Sequence, residues 1–147
     1  MCIRDRFDSD TFDVITCNPP YFKTNDNRFK NNNSVKSLAR HEDTLKLDDV
    51  FAISRKLLKN NGRIAIVHRT ERLVEILNVM NKYNIEPKKI RFIYPKENRN
   101  SDLMLIEFVK GGKKGLKMIY PLIVYDSDGN YNIEIKNMFG DDAHDTK

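Results

Sequence analysis

Four consecutive residues combine a side-chain amide, a rigid turn and an aromatic ring: Asn18-Pro19-Pro20-Tyr21. The carboxamide of Asn18 offers one acceptor and two donors, and no sheet ladder claims the carbonyl of Pro19, so two oxygens can converge on one NH2 group. Tyr21 adds a flat face on which a planar ring can stack. These residue types indicate a pocket for an exocyclic amine on a flat base, or for a planar amide.

The strand that precedes this turn should position it. Val14 to Cys17 form a run of apolar, small or β-branched residues, which predicts a buried parallel strand. Pro19 and Pro20 cannot donate to a ladder, so the strand must end before them, and Asn18 is held extended or in a turn. We therefore expect the amide at the carboxyl end of a strand, where open α/β sheets bind ligands. An asparagine and prolines alone would be better explained by a capped turn after a strand, and it is the aromatic residue that follows and the position at the end of a strand that favour a site.

The remaining elements alternate between helical and strand patterns. Their order is β, α, β, α, β, β, followed by a small hairpin, which predicts an α/β fold with an antiparallel end. The loop between the last two main strands is too short for a helical crossover, so these strands should be antiparallel. The predicted elements are a helix from Leu47 to Leu58 that Asn61-Gly62 ends, a strand within residues 63–68, a helix over Leu73 to Met80 that Thr70 caps, strands at Ile90 to Tyr94 and Leu103 to Val109, and a hairpin of residues 123–125 and 131–135 that turns at Asp128-Gly129.

Composition describes a soluble globular protein with a modest positive charge. The 147 residues contain 39% hydrophobic and 32% charged residues, and the formal net charge is +5. No apolar stretch approaches the roughly 20 residues of a membrane span. The two cysteines, Cys2 and Cys17, form no disulfide framework, which favours a reduced, cytoplasmic setting. The three histidines have no metal-ligand spacing, and we expect no metal.

Basic residues gather in two regions. Residues 23–43 form a long, asparagine-rich loop with no helical or strand pattern, and loops of this kind are usually binding loops or lids. Basic surfaces suit phosphate backbones, although a solvated lysine-rich face explains the charge as well. The first region contains Arg28, Lys30, Lys36 and Arg40, and the second contains Lys88, Lys89, Arg91, Lys96 and Arg99.

The Asn18 to Tyr21 turn after an apolar strand resembles the catalytic signature of S-adenosylmethionine-dependent amino-group methyltransferases. The four residues alone are moderately specific, because protein-glutamine methyltransferases carry them too. Further segments resemble one branch, the bacterial tRNA1(Val) (adenine37-N6)-methyltransferase family, and the resemblance runs from about Phe12 to Phe139. These segments are Arg40-His41-Glu42, Leu57-Leu58 with Gly62-Arg63, Val67-His68-Arg69, and the lysine-rich tail from Gly111 to Tyr125.

The resemblance implies roles for individual residues. Asn18 and the carbonyl of Pro19 would hold the adenine N6 amine, Pro20 would complete the catalytic turn, and Tyr21 would stack on a base that has left its stack. Phe22 would wall the pocket, although simple core packing is an equal alternative for it. The implied cofactor is S-adenosylmethionine, with Asn18 beside it, and the implied partner is tRNA, bound by a monomeric enzyme. The implied RNA-binding side chains are Arg28, Lys30 and Arg40.

One expected feature of the family does not occur upstream of the turn. The fold needs a glycine-rich turn after its first strand, but all six glycines follow Phe12. We therefore expect the carboxyl-terminal half of a Rossmann-like class I methyltransferase, without the cofactor-binding half. The expected divisions are an unassigned lead-in (1–11), the methyltransferase half-domain (12–110), an appended β-hairpin that contacts tRNA or closes the sheet edge (111–140), and a disordered end (141–147).

Two other functions remain compatible with these residues. A protein-glutamine N5-methyltransferase would place a planar amide in the same pocket, although the net charge of +5 favours RNA. A non-catalytic RNA-binding module would use the basic surface with exposed aromatic rings and no cofactor. Identifying the methylated product would distinguish the protein-glutamine methyltransferase from a tRNA methyltransferase. Measuring S-adenosylmethionine binding would test the RNA-binding module, which needs no cofactor.

Overall fold

A mixed six-stranded sheet is the centre of the fold in the computed structural model, which describes residues 7–19 and 47–139. The strands lie in the order β1-β2-β4-β3-β5, and β6 also pairs with β3. The strands are β1 (Phe12–Cys17), β2 (Leu58–Arg69), β3 (Ile85–Tyr94), β4 (Leu103–Lys110), β5 (Lys117–Met118) and β6 (Leu122–Ile123). The helices are α1 (Leu47–Leu57), α2 (Leu73–Asn81), preceded by a 3-10 turn (Thr70–Arg72), and α3 (Ile133–Phe139).

The strand directions agree with the sequence pattern. β1 and β2 are parallel, with Ile15 opposite Ile64. β4 is antiparallel to both β2 and β3, and Ile106 lies opposite Ile66 on one side and Ile90 on the other. The parallel first strand and the antiparallel final pair were predicted, and both are confirmed.

Helices α1 and α2 cover one face of the sheet. Phe51 of α1 is fully buried and makes an edge-to-face contact with Phe108 of β4, with ring centroids 5.2 Å apart. The same ring stacks on Tyr83 at 6.4 Å, and the hydroxyl of Tyr83 donates to Asp48 at 3.1 Å. These contacts join both helices to the sheet. The buried sheet residues beneath them are Ile64, Ile66, His68, Ile85, Ile90, Met104, Ile106 and Phe108.

Strand β1 is not buried as predicted. The side chain of Val14 is 55% exposed, and Thr16 is also exposed, whereas Ile15 and Cys17 pack against the core. Val14 and Thr16 are exposed because β1 lies at the edge of the sheet. Among residues 7–19 and 47–139, β1 pairs only with β2, and no described helix packs on the outer face of β2.

Two helix boundaries also differ from the prediction. Helix α1 ends at Leu57, before Asn61-Gly62, because the fully buried Leu58 already pairs with Phe12 of β1. The pairing then shifts to Val14 with Arg63, so the intervening residues bulge, and Asn61 takes the left-handed conformation at φ 63° inside this bulge. Thr70 does not cap the next helix but opens the 3-10 turn, where its hydroxyl lies 3.2 Å from that of Ser101.

The predicted tail hairpin is only partly correct. The turn at Asp128-Gly129 is present, closed by an antiparallel bridge between Tyr125 and Tyr131. Residues after it form helix α3 instead of a strand, because the Asn132 side chain accepts a hydrogen bond from the Glu134 N–H at 3.3 Å and so caps the helix. The tail is also not an appended unit, since β5 and β6 extend the main sheet along the edge of β3.

The described residues contain neither a candidate membrane span nor a candidate metal site. No helix within residues 7–19 and 47–139 is both long enough and apolar enough to span a membrane. The same residues contain no group of three or more side chains that could hold a metal ion.

Candidate active site

Asn18 directly follows the last residue of β1, as the prolines predicted. Its residue is exposed, whereas Pro19 is buried and anchors the turn. The preceding Cys17 is half-buried and packs against the core, and burial raises the pKa of its thiol, which disfavours the thiolate. The described part of the turn therefore places an exposed Asn18 between a core-packed Cys17 and a buried Pro19.

An open trough of about 460 Å³ begins at Asn18 and crosses the outer face of the sheet. Its floor is mainly apolar and includes Ala65 and Leu105, and Arg91 and Ile119 lie at its far side. Ligand sites are typically apolar clefts with a few placed polar groups, and this trough has that character. It begins at the carboxyl end of β1, the kind of edge where open α/β sheets bind ligands, and runs beside the middle of β2 and β4.

The cations of the trough are each paired with a carboxylate. Lys89 forms an ion pair with Glu107 at 3.0 Å, across the outer face. Arg91 donates to Glu134 of α3 at 2.6 Å, and this hydrogen bond lowers the pKa of the Glu134 carboxyl. Lys88 donates to the carbonyl of Lys113 at 2.9 Å. Three members of the second basic region therefore stabilise the fold, and this role was not apparent from the charge pattern.

The structure describes only part of the predicted site. It places Asn18 and Pro19 together at the end of β1, as expected from the sequence. The other predicted site residues lie outside the described residues, and their roles stay predictions. These residues are Pro20, Tyr21, Phe22, Arg28, Lys30 and Arg40.

His68 belongs to the core and not to the site. It is 1% exposed on the covered face of β2, and its Nδ1 accepts a hydrogen bond from the Arg69 N–H at 2.8 Å. Burial lowers the pKa of His68 below its usual value of 6.5, and the nearby Arg72 lowers it further, although Glu75 opposes this. The folded protein thus protonates His68 less readily than the unfolded chain does.

We expect the stability of the protein to fall as pH falls below about 6.5, because the unfolded chain then binds a proton at His68 that the folded chain excludes. Above that pH both states hold a neutral imidazole, so this contribution is constant. Urea unfolding across this pH range should show a steeper acid slope for the wild type than for His68→Gln. Equal slopes would show that His68 is not the group responsible.

The described residues fit the S-adenosylmethionine implied by the motif only in part. Asn18 lies at the carboxyl edge of β1, where open α/β sheets bind ligands. A cofactor cradle of this fold needs a glycine turn between a strand and a helix at the same edge. The described glycines with positive φ are Gly111, Gly115 and Gly129, all in the tail. Residues 7–19 and 47–139 thus contain the end of β1 that would face the cofactor but no glycine cradle for it.

Several curated proteins that are similar to this chain in sequence carry the same name. Curated proteins named tRNA1(Val) (adenine(37)-N6)-methyltransferase are 33% identical over 96 residues in Parabacteroides distasonis, 26% over 128 residues in Aliivibrio salmonicida and 24% over 139 residues in Christiangramia forsetii. These matches cover 65%, 82% and 95% of this chain, but 39%, 50% and 56% of the relatives. The chain thus spans about half the length of the curated relatives it matches. No protein-family model matches it.

Solved structures resemble the fold at low sequence identity. A predicted O-methyltransferase from Agrobacterium tumefaciens has a TM-score of 0.67 at 16% identity, covering 89% of this chain and 52% of that one. A chain of a type I R-M system has a TM-score of 0.54 at 18% identity, covering 89% and 29%. The resemblance predicted from the motifs is confirmed: in sequence the chain is similar to the tRNA1(Val) (adenine(37)-N6)-methyltransferases, and its fold is a partial Rossmann-like fold of the class I methyltransferases.

Proposed function

We propose that this chain is the substrate-facing part of an S-adenosylmethionine-dependent methyltransferase that modifies the N6 amine of an adenine in tRNA. The observation that carries the proposal is the position of Asn18-Pro19, at the carboxyl end of β1 and at the start of the trough. The names of the sequence relatives support RNA as the substrate and adenine 37 of tRNA1(Val) as the target. A tRNA substrate would place the reaction in the cytoplasm.

In this proposal the chain's own residues orient the amine. The Asn18 carboxamide oxygen and the Pro19 carbonyl each accept one hydrogen of the N6 amine, which turns the nitrogen lone pair away from them. S-adenosylmethionine, when bound, supplies an electrophilic methyl group on that side. Such positioning removes rotational freedom before reaction, and well-oriented groups gain rate in this way. Tyr21 would stack on the extruded adenine, as predicted from the motif.

Among the described residues β1 pairs on one side only, and its open side supports a larger enzyme around this chain. A sheet edge with an exposed valine on its outer face is normally paired or covered, because unpaired edges promote aggregation. In the proposed enzyme a further strand pairs with β1, and the glycine-rich cofactor turn lies in the portion of the relatives that this chain does not match. Monomeric action is part of the same proposal.

A chimera tests the proposed reaction. In it, this chain replaces the matching part of the Parabacteroides distasonis relative, and tRNA or protein is offered with labelled S-adenosylmethionine. We expect N6-methyladenosine among the nucleosides of the digested tRNA. Methylglutamine in protein would instead indicate the glutamine methyltransferase. Tight RNA binding with no transfer to either substrate would indicate a binding module and contradict the proposal.

A further inference from the structure

Eight consecutive residues, 113–120, are exposed at the edge of the sheet that β5 forms. Such a run is unusual here because four of its side chains are large and apolar. Leu116 is 44% exposed, Met118 63%, Ile119 38% and Tyr120 78%. Burial of these groups within the fold would stabilise it, so their exposure on a paired strand marks an interaction surface. We name residues 113–120 the edge strip.

The charge of the edge strip has one sign. It contains Lys113, Lys114 and Lys117 and no acidic residue. None of the three lysines forms an ion pair with a residue in the described ranges, whereas Lys59, Lys82, Lys89 and Lys110 each do. Three uncompensated lysines beside apolar groups complement a polyanion that also exposes flat apolar rings.

Tyr120 is held in place although its ring is exposed. The Nε of Arg91 donates to the Tyr120 carbonyl at 2.9 Å, and Nη2 of the same guanidinium donates to Glu134 of α3 at 2.6 Å. The Ile119 N–H donates to the Ile90 carbonyl at 2.8 Å, which fixes the backbone on β3. These bonds fix the backbone that carries the exposed Tyr120 ring, which lowers the entropic cost when a base stacks on that ring.

The edge strip is continuous with the candidate active site. Ile119 lines the same trough as Asn18, and Arg91, which holds Tyr120, lines it too. The edge strip and Asn18 therefore adjoin the same surface of the described sheet.

We propose that the edge strip binds an unpaired stretch of the RNA substrate, with Tyr120 stacked on a base and the three lysines at the phosphates. This inference rests on the proposed function, because it takes RNA as the substrate. It adds a positioning surface on the far side of the trough. An anionic membrane would also attract exposed lysines and apolar groups, and the experiment separates the two.

The aromatic contact is tested by fluorescence anisotropy with a labelled RNA hairpin whose loop is unpaired. We expect Tyr120→Ala to weaken binding about 5- to 150-fold, the range typical of a lost base stack, and Tyr120→Phe to bind like the wild type. A fully paired RNA duplex, which offers no loop base, should show no difference between the variants. Equal affinity of Tyr120→Ala and wild type for the hairpin would overturn the inference.

The lysine contacts are tested by the salt dependence of binding. The triple variant Lys113→Gln, Lys114→Gln, Lys117→Gln should lower the slope of log K against log salt by about 2, since each phosphate contact on a single strand contributes about 0.7. The matched control replaces Lys56, Lys59 and Lys82 by glutamine, which removes the same charge elsewhere and should leave the slope unchanged. If the slope fell equally in both triple variants, the loss of net charge would explain it, and the edge strip would not be a specific RNA-binding surface.

Two further outcomes distinguish the failures. If the chimera methylates tRNA while all edge-strip variants bind and react like the wild type, the proposed function stands and the inference fails. If the wild type binds vesicles of phosphatidylserine and phosphatidylcholine through Tyr120 but does not bind the hairpin, the strip is a membrane contact and the inference also fails.

Discussion

Replacement of Asn18 by alanine should lower the rate of methyl transfer in the chimera by about 100- to 1000-fold, the usual loss when one oriented hydrogen-bonding group is removed from a reacting centre. Asn18 is exposed at the end of β1, so its loss opens no core cavity, and the fold should persist. The effect should appear in kcat, because the amide orients the reacting amine and contributes little to binding of the whole RNA.

Two further variants sharpen this prediction. Asn18→Asp keeps an accepting oxygen and should retain more activity than Asn18→Ala. Asn78→Ala, on an exposed position of α2, removes an amide away from the trough and should be without effect. Single-turnover rates and hairpin affinity, measured on the same preparations, separate chemistry from binding. Wild-type rates for Asn18→Ala would refute the role assigned to this residue, and an equal loss in affinity would make it a binding residue instead.

Replacement of Phe51 by alanine should produce the largest loss of stability, about 3–5 kcal/mol, because the ring is fully buried and the protein fills such a cavity only partly. Phe51 touches Phe108 of the sheet and Tyr83 beyond α2, so the loss would loosen both helices from the sheet. Urea unfolding followed by circular dichroism measures the change.

The control for Phe51 lies on the neighbouring helix. Val74 of α2 is 68% exposed, so Val74→Ala should change the free energy of unfolding by no more than about 0.5 kcal/mol. Phe51→Leu leaves a smaller cavity and should fall between the two. A loss below about 1 kcal/mol for Phe51→Ala would mean that the helices do not pack on the sheet as described.

Local rules were sufficient for the strand that carries the candidate site. Pro19 and Pro20 must end β1 in any fold of this chain, because neither has a backbone N–H to donate to a sheet. This alone places Asn18 after the strand. The antiparallel pairing of β3 with β4 also follows from local information, because the connection from Pro95 to Asp102 is too short for a crossover. The helical periodicity of residues 47–58 likewise located α1, although the helix ends at Leu57, before the stop expected at Asn61-Gly62.

The burial of β1 and the conformation of the tail depend on tertiary contacts, which a local sequence pattern does not contain. Val14 reads as a core residue but is exposed, because its burial depends on what packs on the outer face of the sheet. Residues 131–135 alternate like a strand, but residues 133–139 form α3, which Asn132 caps and which the ion pair of Glu134 with the distant Arg91 secures.

The sequence by itself determined the parallel and antiparallel pairings and the family resemblance, and it predicted the chemistry at the end of β1, because proline geometry, loop length and motif spacing act over short stretches of chain. Only the tertiary structure decided that Arg91 holds Tyr120, that the lysines beside it lack ion-pair partners among the described residues, and that one trough joins Ile119 to Asn18. Those facts join residues about 30 to 100 positions apart, which come together only when the sheet assembles.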